Sequence, residues 1–177
     1  RADLVAVHQF EFFERMDMLE QLRPDGVLLI NSPYPAHELW GRLTEEVQTE
    51  ICSKRLQVYA VDAEQIARAA GLGGRINTVM QVCFFAVSKV LPIERALQCI
   101  KDALEHSYGK KGEEIVRRNL QAVDAALAGL VRLEPQREVT AQRRRAQGVS
   151  PEAPARVRSS AAAMVEGKGD RLPASAL

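Results

Sequence analysis

Cysteine is scarce in this 177-residue chain: Cys52, Cys83 and Cys99 stand 31 and 16 residues apart. That spacing suits neither the paired cysteines of a secreted disulfide scaffold nor the tight clusters of a zinc or iron–sulfur site, so no metal is assigned to the segment. Aromatic side chains make up only 5% of residues. No apolar run approaches the roughly 20 residues of a membrane-spanning helix, and no basic, apolar and small-residue succession marks a signal peptide. Excess charge is missing too. The 24 basic and 23 acidic side chains leave a formal net charge of +1, which gives no global steering toward nucleic acid or a membrane surface. The chain reads as soluble and intracellular, and its opening without methionine, directly ahead of a strand-like run, points to a piece of a larger protein.

What is present is ordinary globular material, 46% hydrophobic and 27% charged, enough for one substantial core plus a tail. The organising stretch is 61–92. A short helical pattern through Ile66, Ala67 and Ala70 breaks at Gly71, Gly73 and Gly74, and a longer apolar helix begins near Asn77. Asn77 or Thr78 is placed to accept a backbone N–H bond at that helix start, and Thr78 with Gln81 fits a capping box. Glycines permit close backbone approach, a helix start presents free N–H groups, and Arg75 adds a full positive charge. The hinge could therefore take a phosphate or carboxylate, but on spacing alone the favoured reading is a capped turn between two buried helices. Gly71-Leu72-Gly73-Gly74-Arg75-Ile76 is not a dinucleotide fingerprint: the third glycine is missing and the segment follows a helix, where that motif requires a strand.

Around this hinge the pattern alternates. Residues 3–7 form a strand buried on both faces, with His8 and Gln9 at its carboxyl end, and residues 10–22 carry Phe12, Phe13, Met16 and Leu19 at helical spacing. Arg23-Pro24-Asp25-Gly26 is a turn signal before a second strand, 27–30. Residues 36–52 read as one helix bearing the only tryptophan, Trp40, and 55–61 as a third strand. Helices follow at 79–90, 93–106 and 113–133, with Pro92 where a first helical turn tolerates it and a basic turn at 108–112. Strands alternating with helices, then a helical part, describe a doubly wound, Rossmann-like α/β domain. Beyond it, Pro135, Pro151, Pro154, the run Arg143-Arg144-Arg145, Arg156 and Arg158 read as an irregular linker. The three adjacent arginines are a solvated charge run or, less simply, a nucleic-acid contact.

Several long runs resemble one family. Val7-His8-Gln9-Phe10-Glu11-Phe12, Leu28-Leu29-Ile30-Asn31-Ser32-Pro33 and Arg75-Ile76-Asn77-Thr78-Val79-Met80-Gln81-Val82-Cys83-Phe84-Phe85-Ala86 are similar to pyruvate:ferredoxin (flavodoxin) oxidoreductases. So are Tyr108-Gly109-Lys110-Lys111-Gly112-Glu113 and Asn119-Leu120-Gln121-Ala122-Val123-Asp124, all in the order of the family's gamma domain, the third domain of its long single-chain form. The resemblance looks closest to the pyruvate:flavodoxin branch associated with nitrogen fixation. It divides the chain into a C-terminal portion of the gamma domain at 1–134, an interdomain linker at 135–168, and at 169–177 the opening of the next domain, which in the family carries a Glu-Lys-Arg signature.

The resemblance implies oxidative decarboxylation of pyruvate with coenzyme A to acetyl-CoA and CO2. Electrons pass from thiamine diphosphate, held with Mg2+, through [4Fe–4S] clusters to ferredoxin or flavodoxin. Those cofactors belong to other domains of the same polypeptide, so the fragment alone is expected to be inactive, and the parent is expected to be a cytoplasmic homodimer with no nucleic-acid or membrane partner. The gamma domain contributes to the coenzyme A site through a Gly-Ser-Asp-Gly-type front loop, absent from this fragment, and through groups near the glycine hinge. Asn77 carries over as the foremost coenzyme A contact, with Gly73, Gly74 and Arg75 beside it. A non-catalytic interdomain scaffold is the alternative.

Overall fold

Alternation along one strand sets the architecture. In β2 (Leu22–Asn31) Leu28 and Ile30 face one core while Leu29 faces another, and all three are fully buried. Period-two side chains on a strand covered on both faces produce this division. The computed structural model describes residues 1–136, 138–146, 149–150, 152–155, 157–165 and 169–172. It is an α/β fold in which β1 (Ala2–Val7), β2 and β3 (Gln57–Val61) run parallel, and β4 (Val131–Leu133) pairs antiparallel with β3. Helices α1 (Phe12–Arg15), α2 (Ala36–Arg42) and α3 (Glu45–Lys54) cover one face; α4 (Ala63–Ala69), α5 (Asn77–Ser88), α6 (Ile93–Tyr108) and α7 (Glu113–Gly129) cover the other. A π-helical turn at Val157–Ala161 and α8 (Ala162–Val165) lie further along the chain. No helix among the described residues is long and apolar enough to cross a membrane.

Four local expectations change. The helix foreseen at 10–22 is one turn, because the Asp17 carboxylate accepts from the Leu19 and Glu20 amides and so competes with helical bonding, while Phe13 and Leu19 still enter the core. The turn at 23–26 is a bulge inside β2. Ala2 pairs with Leu22 and Leu4 with Val27, Asp25 has φ +57°, and a Cβ on Gly26 would lie 2.8 Å from the Arg23 carbonyl. Residues 36–52 form two helices broken at Leu43–Thr44, both extended, and the break is bridged by the Gln48 amide, which donates to the Trp40 carbonyl at 2.7 Å. Finally, α7 stops at Gly129, packed under Ile66, and the chain turns into β4 along the edge of β3. β1 is correspondingly an edge strand in which only Val7 is fully buried. Of the stretch at 169–177 that the resemblance gives to a next domain, residues 169–171 form a 3-10 turn and 173–177 lie outside the described residues, as does Arg156.

At the carboxyl end of the sheet, Asn31 is buried and ties three elements. Its Nδ2 donates to the His8 carbonyl at 2.9 Å, and its Oδ1 accepts from the Ala63 N–H at 3.0 Å. Replacing it with leucine keeps the volume but strips both partners. Leaving the buried Ala63 N–H alone costs roughly 1–3 kcal/mol. Urea denaturation of Asn31→Leu should show that loss in midpoint, and an unchanged midpoint would mean the tie carries no stability.

The three cysteines are free and differ in exposure. Burial pushes the Cys83 thiol up to about 12, raises Cys52 more modestly, and leaves Cys99 at the surface. Because the thiolate is the reactive form, a disulfide-exchange reagent should modify Cys99 first and Cys83 only when the chain unfolds. Rapid labelling of Cys83 in buffer would contradict the packing around it.

Candidate functional site

The hinge between α4 and α5 is built by backbone geometry. Asp62 caps α4 by accepting the Gln65 N–H at 2.8 Å, and the helix ends as the Leu72 N–H folds back to the Ala67 carbonyl at 2.8 Å. Gly71 and Gly73 take φ of +72° and +64°, the left-handed conformation that costs glycine nothing. Leu72, between them, is buried and nails the loop to the core. The chain then passes through Gly74, Arg75 and Ile76 into α5.

The helix start differs from expectation. Ile76 is the N-cap and no side chain caps the helix, so the Thr78–Gln81 capping box does not form. Thr78 instead donates to the Asn119 Oδ1 of α7 at 3.4 Å, and Asn119, itself buried, donates to the Ile115 carbonyl at 2.8 Å. The first-turn amides of α5 consequently lack both a helical acceptor and a side-chain cap.

Gly73, Gly74, Arg75 and Asn77 are all exposed and follow one another along this surface. A Cβ built on Gly73 or Gly74 would meet nothing within 4 Å, so the backbone there is open to an approaching group. Arg75 Nε donates to the Leu72 carbonyl at 3.0 Å, which pins the guanidinium beside the loop. A second cation, legible only in three dimensions, joins it. Arg118 of α7 lies over Gly71, with Cδ and Nε 3.3 Å from where a Cβ would stand, and pairs with Glu114 at 2.8 Å. Hydrogen bonds from Arg117 and then Arg118 hold the Glu114 carboxyl below its ordinary range. No sequence pattern joins Arg118 to the hinge, since 47 positions separate it from Gly71.

The placement of the hinge follows from α5. Its last turn, Val87 and Ser88, shares a groove with Asp3, Leu4, Val27 and Gln57 at the amino ends of the strands. Twelve helical residues span about 18 Å, comparable to the length of β2 between Val27 and Asn31, so Asn77 lies toward the carboxyl end of the sheet. That is the end where open α/β sheets bind ligands. His8 and Gln9 are exposed at the same end. Unpaired amides of a helix start and two guanidiniums make this surface suitable for an anionic group.

Comparison with known proteins gives this geometry a context. The chain is 44% identical over its whole length to a putative pyruvate-flavodoxin oxidoreductase of Synechocystis sp. and 42% identical over its whole length to a probable pyruvate-flavodoxin oxidoreductase of Escherichia coli. In both cases it spans 15% of the relative's length. Among solved structures, pyruvate oxidoreductase subunit PORC of Thermotoga maritima superposes with a TM-score of 0.58 at 23% identity, over 76% of this chain and 66% of that one, a likeness of fold. With residues 1–129 matching the family model for pyruvate ferredoxin/flavodoxin oxidoreductase, the chain belongs to that family.

Proposed function

We propose that this chain is a gamma-domain segment of a pyruvate:ferredoxin or pyruvate:flavodoxin oxidoreductase, and that the hinge at 71–77 forms part of its coenzyme A site. The reaction would be oxidative decarboxylation of pyruvate to acetyl-CoA and CO2, with thiamine diphosphate, Mg2+ and [4Fe–4S] clusters in other domains and ferredoxin or flavodoxin as acceptor. The supporting observation is the run of exposed groups at the uncapped start of α5: Gly73, Gly74, Arg75 and Asn77. Coenzyme A, when bound, supplies the thiol that accepts the acetyl group and a set of phosphates for the protein to grip.

The chain's own residues then bind and orient. Open backbone at Gly73 and Gly74 lets a phosphate approach the free amides. Arg75 commits Nε to the Leu72 carbonyl and keeps its terminal nitrogens for an anion, a charge-assisted contact. Asn77 offers a carboxamide that both donates and accepts, which suits orientation better than charge neutralisation. In the full-length enzyme Asn77→Ala should raise the coenzyme A KM about fivefold, the equivalent of ~1 kcal/mol, and Arg75→Ala by roughly tenfold or more, with the pyruvate KM unchanged. Steady-state reduction of a viologen dye under anaerobic conditions, at varied coenzyme A, measures both. Unchanged coenzyme A kinetics in both variants would remove the hinge from the site.

A second reading, a scaffold that packs neighbouring domains, draws on Val90 and Leu91, which are 68% and 40% exposed beyond the end of α5. Apolar side chains so displayed suit a docking face. Isothermal titration of coenzyme A into the complete gamma domain separates the readings: heat of binding is expected for a ligand site and none for a pure scaffold.

A further inference from the structure

The segment after β4 has the composition of a tether and the bonding of a clasp. Gln48, fully buried in α3, is its anchor: Oε1 accepts from the Thr140 N–H at 2.8 Å and the Ala141 N–H at 2.9 Å, while Nε2 holds the Trp40 carbonyl. The Trp40 indole N–H in turn donates to the Thr140 hydroxyl at 3.1 Å. Three residues on, the Arg143 carbonyl accepts from the Glu45 N–H at 2.9 Å, supplying an acceptor for the first turn of α3, and the Ala146 N–H reaches the Glu14 carbonyl of α1 at 3.0 Å. Backbone bonds thus recur from one end of this stretch to the other.

The arginine run lies within it, and each member meets an acid on the domain. Arg143 pairs with Glu14 at 2.9 Å, Arg144 with Glu45 at 2.7 Å, and Arg145 faces Asp17 at 3.9 Å while its N–H donates to the Glu46 carboxylate. Arg145 is the most enclosed of the three, its side chain 18% exposed. Burial raises the Glu46 carboxyl, but backbone N–H groups of Glu46 and Arg145 and the Arg145 charge outweigh it and hold the group below its usual value. A solvated charge run would leave these acids and amides to water. Here each arginine is matched, by Glu14 of α1, by Asp17 in the turn after it, and by Glu45 and Glu46 in the first turn of α3.

We infer that residues 138–146 are a strap, latched by buried amide bonds and by charge, which fixes the direction in which the chain leaves the domain. It acts as a stiff coupler to whatever follows and not as a free tether. The family match stops at residue 129, so this role does not depend on the coenzyme A reading. Two different forces hold the latch. The exposed ion pairs are individually weak and screened by salt, whereas the Gln48 bonds are shielded.

Hydrogen exchange read by mass spectrometry on the full-length enzyme tests the strap. In dilute buffer the peptide containing Thr140, Ala141, Arg145 and Ala146 should exchange at least tenfold more slowly than an unstructured peptide of the same sequence. Raising salt to 1 M, where the screening length is about 3 Å, should speed exchange severalfold. Gln48→Ala should release Thr140 and Ala141. Ala141→Pro, which removes one donor from the strap and leaves the core untouched, should speed exchange at Arg145 and Ala146, covering the case in which Gln48→Ala fails to fold. Exchange at the unstructured rate in dilute buffer overturns the strap. Protection that ignores both salt and Ala141→Pro overturns the latch.

Discussion

One buried carboxamide holds the carboxyl end of the sheet together. Asn31 sits at the last position of β2, where a strand must end and its polar groups must be paired before the chain turns. Its two ends reach β1 through the His8 carbonyl and α4 through the Ala63 N–H. Since the Asn31 backbone also pairs in register with Val61 of β3, the carboxyl ends of all three parallel strands and the start of α4 converge on one residue. A slip of one residue would carry Leu28 and Ile30 into the opposite core and remove Asn31 from both partners. The amide therefore makes register and helix placement the same constraint.

The fold was legible wherever a local pattern agreed with packing. The parallel strands, α5, α6 and most of α7 follow from apolar period alone, and the glycine hinge follows from the break in that period. Failures came where a side chain outcompeted the backbone or a distant residue decided the outcome. Asp17 ends α1 early by capturing amides a helix would use. Nothing local distinguishes Leu130-Val131-Arg132-Leu133 as strand: three apolar residues continue the face of α7, and only the open edge of β3 selects extension. The split of 36–52 likewise hides in the sequence, because Leu43 keeps helical spacing while Gln48 stabilises the break from five residues away.

For the candidate site, legibility tracked sequence distance. Gly73, Gly74, Arg75 and Asn77 are contiguous, so one window shows small residues, charge and a helix start together. Arg118 and Asn119 enter the same neighbourhood from α7, and no window reaches them. The Thr78 side chain illustrates the cost of a local view: a capping partner lay three residues away, yet Asn119, 41 positions on, captures the hydroxyl. Long motifs in register carried the family assignment where the spacing of single residues did not.

The hinge and the strap occupy opposite faces of the sheet, and β4 is the reason. α7 packs with α4 and α5 on the hinge side, whereas Trp40, Glu45 and Gln48 belong to helices on the other. Three residues of antiparallel strand along the edge of β3 carry the chain from one side to the other, after which the strap closes on α2 and α3. Force applied to the outgoing chain is thus received by helices on the face of the sheet opposite the hinge. It can reach α5 through the sheet, whose β2 and β3 are buried and whose carboxyl ends meet at Asn31, and through α7, which runs directly into β4 and packs against α5. A loose connection at 138–146 would let the following segment wander without disturbing the hinge; a latched one ties its orientation to the same rigid sheet that sets the position of Asn77. The hinge and the strap, on opposite faces, are in this way coupled by stiffness.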